Sequence, residues 1–222
     1  MVVRDCNFSV QKGEMIGLMG ESGSGKSTLA KLLIGLEKPS QGQVLLDGQP
    51  YSVKKSGVRI LLVFQDSLHS VNPHFTVEQV LTEALPKDVA REEIEAILED
   101  VGLDKSYLTQ PARQLSGGQL QRICIARGLL LKPDILIFDE ALSGLDPIVQ
   151  GRLLRLLYDL WEKYQLTYLF ISHDFKLSYA LCHWILVMAD GEIVDEIKDF
   201  ELPIQAHHPV TKKLIGDKGH FS

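Results

Sequence analysis

The chain has 222 residues, 45% of them hydrophobic, and a formal net charge of -6, which suits one large domain or a core carrying a subdomain. With no global positive field to hold nucleic acid, any phosphate ligand must be held locally. Cys6, Cys124 and Cys182 are odd in number and far apart, so they suggest neither a disulfide framework nor a zinc site and point to a reducing compartment. The longest apolar runs, such as Ile60 to Phe64 and Ile185 to Ala189, fall far short of the ~20 residues of a membrane span. The N-terminus has no signal-peptide apolar region, so the chain is expected to be soluble and to reach a membrane only through a partner.

Short apolar runs bounded by turn signals alternate with helix-period segments, the pattern of a mostly parallel α/β sheet. Met15 to Met19 reads as a strand, followed by a helix over Lys26 to Leu36 with Leu29, Leu32, Leu33 and Leu36 on its buried side. "PSQGQVLLDGQP" reads as a strand between turns, and Ile60 to Phe64 as a buried strand. Residues 66–130 turn helical, which predicts a helical subdomain inserted in a single domain spanning 1–222. Thr76 and Gln79 form a capping box ahead of Val77, Val80, Leu81 and Ala84. Ile94, Ile97, Leu98 and Val101 keep one helical face, and Gly102 is placed to end that helix. "QLSGGQLQRICIARGL", Gln114 to Leu129, opens another helix with a capping box of Ser116 and Gln119. Its Gly117 and Gly118 are each about 1 kcal/mol worse than alanine in a helix. They have no role there unless something must approach bare backbone. Strands are expected at Ile135 to Phe138, Tyr168 to Ile171 and Ile185 to Met188, with a hairpin turn at Asp190 and Gly191.

"GESGSGKST" satisfies the phosphate-loop pattern and lies between an expected strand and helix, the context the motif needs. Gly20, Glu21, Ser22, Gly23, Ser24 and Gly25 would present backbone N–H groups to an anion. The helix N-terminus adds about half a positive charge behind them. Lys26 should reach the β- and γ-phosphates, Ser27 should ligate Mg²⁺, and Thr28 is placed to contact an earlier phosphate. In "DILIFDE" a strand carries two carboxylates to its carboxyl end, where ligands of open α/β sheets bind. Asp139 is positioned to hold Mg²⁺, and Glu140 to act as general base for an attacking water.

With these residues in hand, "LSGGQ" at Leu115 to Gln119 resembles the signature of the nucleotide-binding subunit of ATP-binding cassette (ABC) transporters. Gln65 in "VFQDS" is similar to that family's Q-loop glutamine, "SGLD" ending at Asp146 to its D-loop, and His173 in "ISHD" to its switch histidine. The order matches too, over nearly the whole chain. The resemblance implies a P-loop NTPase (RecA-like) core with a mostly parallel sheet, a small antiparallel β region and an inserted α-helical subdomain. It implies ATP and Mg²⁺ sandwiched between two cassettes. Ser116, Gly117, Gly118 and Gln119 of one chain would meet the γ-phosphate held by the other chain's Gly20 to Thr28. Gln65 would sense Mg²⁺ and water, and His173 the γ-phosphate.

"VFQDSLHSVNPHFTV" and the tail "HPVTKKLI" resemble the peptide and nickel importer subgroup. The implied partners are transmembrane permease subunits, a second ATPase subunit, identical or not, and indirectly an extracytoplasmic substrate-binding protein. The implied location is the cytoplasmic face of the cell membrane. His207 and His208 read as ordinary tail residues rather than metal ligands. The short tail leans towards nickel or metal-chelate cargo over peptides. A soluble cassette acting on nucleic acid or ribosomes, and an exporter cassette, are the rival readings; the acidic balance and the Val63 to Val77 match argue against them. A P-loop small-molecule kinase would leave "LSGGQ" unexplained. The family normally stacks adenine on an aromatic residue in a strand well upstream of the cradle. Gly20 stands close to Met1 and Phe8 falls in the following segment, so that strand is expected to be missing and adenine recognition to be weak.

Overall fold

The computed structural model describes residues 2–64, 71–85, 89–140, 142, 146–198, 200 and 204–216. In chain order the elements are β1 (Met15–Met19), α1 (Lys26–Leu33), β2 (Leu45–Leu46), β3 (Gln49–Pro50), α2 (Val53–Ser56), β4 (Ile60–Phe64), α3 (Val77–Thr82) and α4 (Arg91–Asp100). There follow α5 (Gly117–Leu130), β5 (Ile135–Asp139), α6 (Pro147–Tyr164), β6 (Thr167–Ile171), α7 (Phe175–Leu181), β7 (Trp184–Ala189), β8 (Glu192–Ile197) and α8 (Pro209–Ile215). Six strands form one sheet in the order β4-β5-β6-β1-β7-β8. Every pairing from β4 through β7 is parallel, and only β8 runs antiparallel, on β7. The chain is thus α/β with a mostly parallel sheet.

Alternation along the strands deals side chains to two faces. Met15, Met19, Phe138, Phe170 and Val187 join one core, and Ile16, Leu18, Ile137, Leu169 and Leu186 the other. The first core is covered by α3 to α7, and Phe138 stacks on Phe170 within it at 5.0 Å. The second is covered by α1 and by the N-terminal segment, through Val3, Cys6, Phe8 and Val10. β1 lies in the middle, buried along its whole length. A central strand so covered can hold the residue after it, Gly20, in one place.

Among the described residues between β4 and β5 the regular elements are helices, and α5 packs against α3 and α4. Both expected capping boxes are present, Thr76 with Gln79 and Ser116 with Gln119. Gly102 ends α4 in a left-handed conformation at φ +72°. Asp100, the last residue of α4, accepts hydrogen bonds from Lys163 at 2.5 Å and from the Tyr164 hydroxyl on α6. The Asp190–Gly191 turn joins β7 to β8 with both residues at positive φ, as a two-residue hairpin requires.

Three expectations are corrected. The α1 helix stops at Leu33 because the chain reverses through Gly35 at φ +74°, which leaves Leu36 68% exposed rather than buried. Likewise α3 ends at Thr82, and Ala84 is exposed beyond it. "PSQGQVLLDGQP" is a hairpin of two short strands, β2 and β3, turning at Asp47 and Gly48 with φ 52° and 74°. Pro50 has no N–H for a longer ladder. Among the described residues, no helix is long and apolar enough to cross a membrane.

Candidate active site

The loop after β1 wraps a cavity of about 700 Å³, within the size range of small-molecule sites. Gly20 is required by space as well as by φ, and Gly25 by φ in a crowded place. A Cβ on Gly20 would lie 2.2 Å from the Met188 carbonyl oxygen and 2.6 Å from Ser24 Oγ. On Gly25, which precedes α1 at φ +108°, it would meet Met188 Cε at 2.9 Å and the Val2 carbonyl oxygen at 3.0 Å. Bare backbone therefore faces the cavity, the condition for an N–H cradle around an anion.

Lys26 curls over this loop, donating to the carbonyl oxygens of Gly20 and Glu21 at 2.8 Å each. Burial lowers its pKa, while Glu140 and Asp139 oppose that shift and favour the ammonium. Across the cavity, β5 ends at Asp139. Burial raises the Asp139 carboxyl above its usual range, a hydrogen bond from Ser27 lowers it, Glu140 raises it and Lys26 lowers it. Ser27 and Asp139 thus form an adjacent pair of oxygen donors, suited to Mg²⁺. Among the described residues no group of three or more His, Cys, Asp or Glu could hold a metal ion alone. A divalent cation here would complete its shell with phosphate oxygens and water.

Glu140 has a left-handed backbone at φ +52°, a strained conformation for a residue with a Cβ. Its N–H donates to the Ile171 carbonyl oxygen at 3.0 Å, which ties the turn to the end of β6. That turn aims the carboxylate at His173, whose Nδ1 lies 3.0 Å from one oxygen and 2.9 Å from the other. His173 is held by its neighbour: Asp174 caps α7, accepting from the N–H groups of Lys176 and Leu177.

The structure therefore brings Gly20 to Gly23, Gly25 to Thr28, Asp139, Glu140 and His173 around one cavity, with Ser24 buried beneath them. It does not bring the signature there. Ser116, Gly118 and Gln119 line a separate cavity of about 350 Å³ with Tyr107, Arg122 and Arg152. Gln119 is committed locally, accepting from Ser116 N–H at 2.8 Å and donating to the Tyr107 hydroxyl at 2.9 Å. Asp146 caps α6 by accepting from Ile148 N–H at 2.9 Å and lines neither cavity. Gln65 and residues 143–145 lie outside the described residues. His207 pairs with Asp195 and His208 caps α8. Phe8 packs into the core rather than towards the phosphate-loop cavity.

The signature glycines give the clearest sign of an outside partner. Both are exposed at the start of α5, and a Cβ on either would meet nothing within 4 Å. Among the described residues, nothing requires glycine there. Gly117→Ala and Gly118→Ala are expected to raise folding stability by up to about 1 kcal/mol while lowering ATP turnover. Thermal denaturation and a turnover assay on the same preparations check both halves; unchanged turnover would make these glycines dispensable.

Sequence reasoning missed Val2 and Leu214 on the cavity wall and Lys213 beside Glu21. No local pattern could have found them, because chain ends reach the cradle only through the folded sheet.

A family profile described as "ABC transporter" matches residues 3–143. The chain is 41% identical over 233 aligned residues to the nickel import ATP-binding protein NikE of Escherichia coli O6:K15:H31, covering 100% of this chain and 81% of that protein. It is 38% identical over 221 residues to the metal-staphylopine import system ATP-binding protein CntF of Staphylococcus aureus, covering 96% and 88%. Among solved structures it resembles cbiO1 from Clostridium perfringens, part of the ABC transporter complex cbiONQ, with TM-score 0.79 and 27% identity over 88% of this chain and 81% of that one. It also resembles the cassette MJ0796, solved as a post-hydrolysis dimer with ADP and phosphate, with TM-score 0.72 and 26% identity over 88% and 89%. Matching over most of its length, in sequence and in fold, the chain belongs to the ABC transporter family as one of its ATP-binding ATPase cassettes.

Proposed function

We propose that this cassette hydrolyses ATP at an interface between two cassettes to power a membrane importer, with nickel, a metal chelate or a peptide as cargo. The observation that carries the reading is the division of the machinery: the phosphate cradle and carboxylates share one cavity, while the signature glycines stand bare beside another. A second cassette, packed head to tail, supplies the missing half. The exposed N-terminus of α5 then offers its N–H groups to the γ-phosphate held by the partner's cradle.

Within one chain, Gly20 to Thr28 hold the triphosphate, and Lys26 leaves its loop carbonyls for the phosphate oxygens. Ser27 and Asp139 would hold Mg²⁺, which neutralises charge on the transferring phosphoryl group. Glu140 accepts a proton from the attacking water, and His173, hydrogen-bonded to Glu140, stands at the γ-phosphate end. Gln65 is assigned to sensing the cation and water, and Asp146 to fixing the start of α6 next to the composite site. We assign the helices of 66–130 to an inserted subdomain of the single 1–222 domain, which carries the signature. The permease subunits then bind on the cytoplasmic side of the membrane, and an extracytoplasmic binding protein selects the cargo.

Metal import is favoured by the metal-importing systems to which NikE and CntF belong. Co-assembly with the permease subunits in vesicles tests it. ATP turnover is expected to rise when metal-loaded binding protein is added, with nickel accumulating inside. Turnover stimulated by peptide-loaded binding protein alone would assign the cargo to peptides, and no stimulation by either would overturn the importer reading.

A further inference from the structure

The tail returns to the nucleotide cavity by a route anchored on one carboxylate. Asp195 of β8, with only 7% of its side chain exposed, accepts from the fully buried Thr211 hydroxyl and from His208 N–H at 2.9 Å. His207 Nδ1 lies 3.4 Å from its other oxygen. Burial works against this carboxylate, but the hydroxyl and the backbone N–H groups hold it below the usual range. Helix α8 is thereby fixed at its start, and its last turn is delivered to the phosphate loop. There Lys213 Nζ lies 2.5 Å from Glu21 Oε1, and Leu214 lines the cavity. Among the described residues, Leu214 and Val2 are the only aliphatic residues on a wall otherwise made of loop backbone, hydroxyls, the His173 ring and charged groups.

Glu21 is an anomaly in a loop that wraps a polyphosphate, because its carboxylate repels the ligand. The contact with Lys213 cancels that charge and pulls the carboxylate below its usual range. Both side chains are exposed, so the pair adds little to folding. Its effect falls on the highly charged ligand held by the same loop. We infer that α8 is a working wall of the nucleotide site: Lys213 is a positioning residue that neutralises Glu21, and Leu214, with Val2, gives the base an apolar surface. The inference rests on the assignment of Gly20 to Thr28 as the triphosphate cradle.

The test titrates ATP and inorganic tripolyphosphate separately into the full chain, at low and high salt. Lys213→Ala is expected to weaken both ligands about fivefold at low salt and much less at high salt. Lys213→Arg should retain wild-type affinity, and adding Glu21→Gln to Lys213→Ala should restore it. Leu214→Ala is expected to weaken ATP about threefold and leave tripolyphosphate unchanged. Unchanged binding by Lys213→Ala, or a loss that Glu21→Gln does not restore, would overturn the neutralising role. Equal losses for both ligands in Leu214→Ala would overturn the apolar wall. Lys26→Ala, run in parallel, separates the two levels. If it too leaves ATP bound normally, the cradle assignment fails and the inference with it; if it alone weakens binding, only the role of α8 fails.

Discussion

Glu140→Gln is expected to slow ATP turnover by about a thousandfold, the middle of the range for losing a positioned general base. Glutamine keeps the shape and a hydrogen bond to His173, now 3.0 Å from the carboxylate, yet it cannot take a proton from water. It also removes a negative charge from the γ-phosphate end. ATP should therefore bind at least as tightly, and the two-cassette assembly should persist instead of reopening. Turnover and size-exclusion measurements with ATP and Mg²⁺ check the two halves. A variant that hydrolyses normally would remove Glu140 from the base role and leave the strained backbone at φ +52° without a catalytic explanation.

Lys26→Ala is expected to lose about a hundredfold in ATP affinity, the order for charge-assisted hydrogen bonds to a buried anion. In the structure the ammonium is occupied by two loop carbonyls at 2.8 Å, so the fold gives up only those contacts. The melting temperature should scarcely move. Calorimetric titration together with thermal denaturation distinguishes lost recognition from lost folding, and unchanged affinity would overturn the phosphate site itself.

Much of this machinery was legible because its signals are local. The phosphate loop, both capping boxes and the Asp190–Gly191 turn each lie within a few residues, and each has a backbone requirement that sequence alone expresses. The hairpin at Leu45 to Pro50 was misread as one strand because "LL" and "QP" are too short to show alternation. Leu36 was misplaced because helical spacing continues past Gly35, while the chain does not. Signals that depend on tertiary proximity were invisible. Nothing in "KKLI" announces a phosphate loop 192 positions away, and nothing in Asp100 announces Tyr164. The proposed composite character of the site lies between these cases. Two glycines at a helix start suggest a visitor, but it is the empty space around them, rather than their spacing, that leaves no internal reason among the described residues.

The strand order has a practical consequence. β4 forms one side of the sheet, and among the described residues no strand pairs with it beyond β5. Its sequence, Ile-Leu-Leu-Val-Phe, has no charge, proline or glycine, the composition most prone to intermolecular pairing when an edge is left open. Arg59 stands immediately before it, ion-paired to Asp134 and to Asp47 at 2.9 Å, and these charges flank the apolar run as gatekeepers. For a cassette prepared without its partners, β4 is therefore the segment at which aggregation is expected to begin, and one lysine added at its Arg59 end, away from the Phe64–Asp139 pair, is expected to improve solubility.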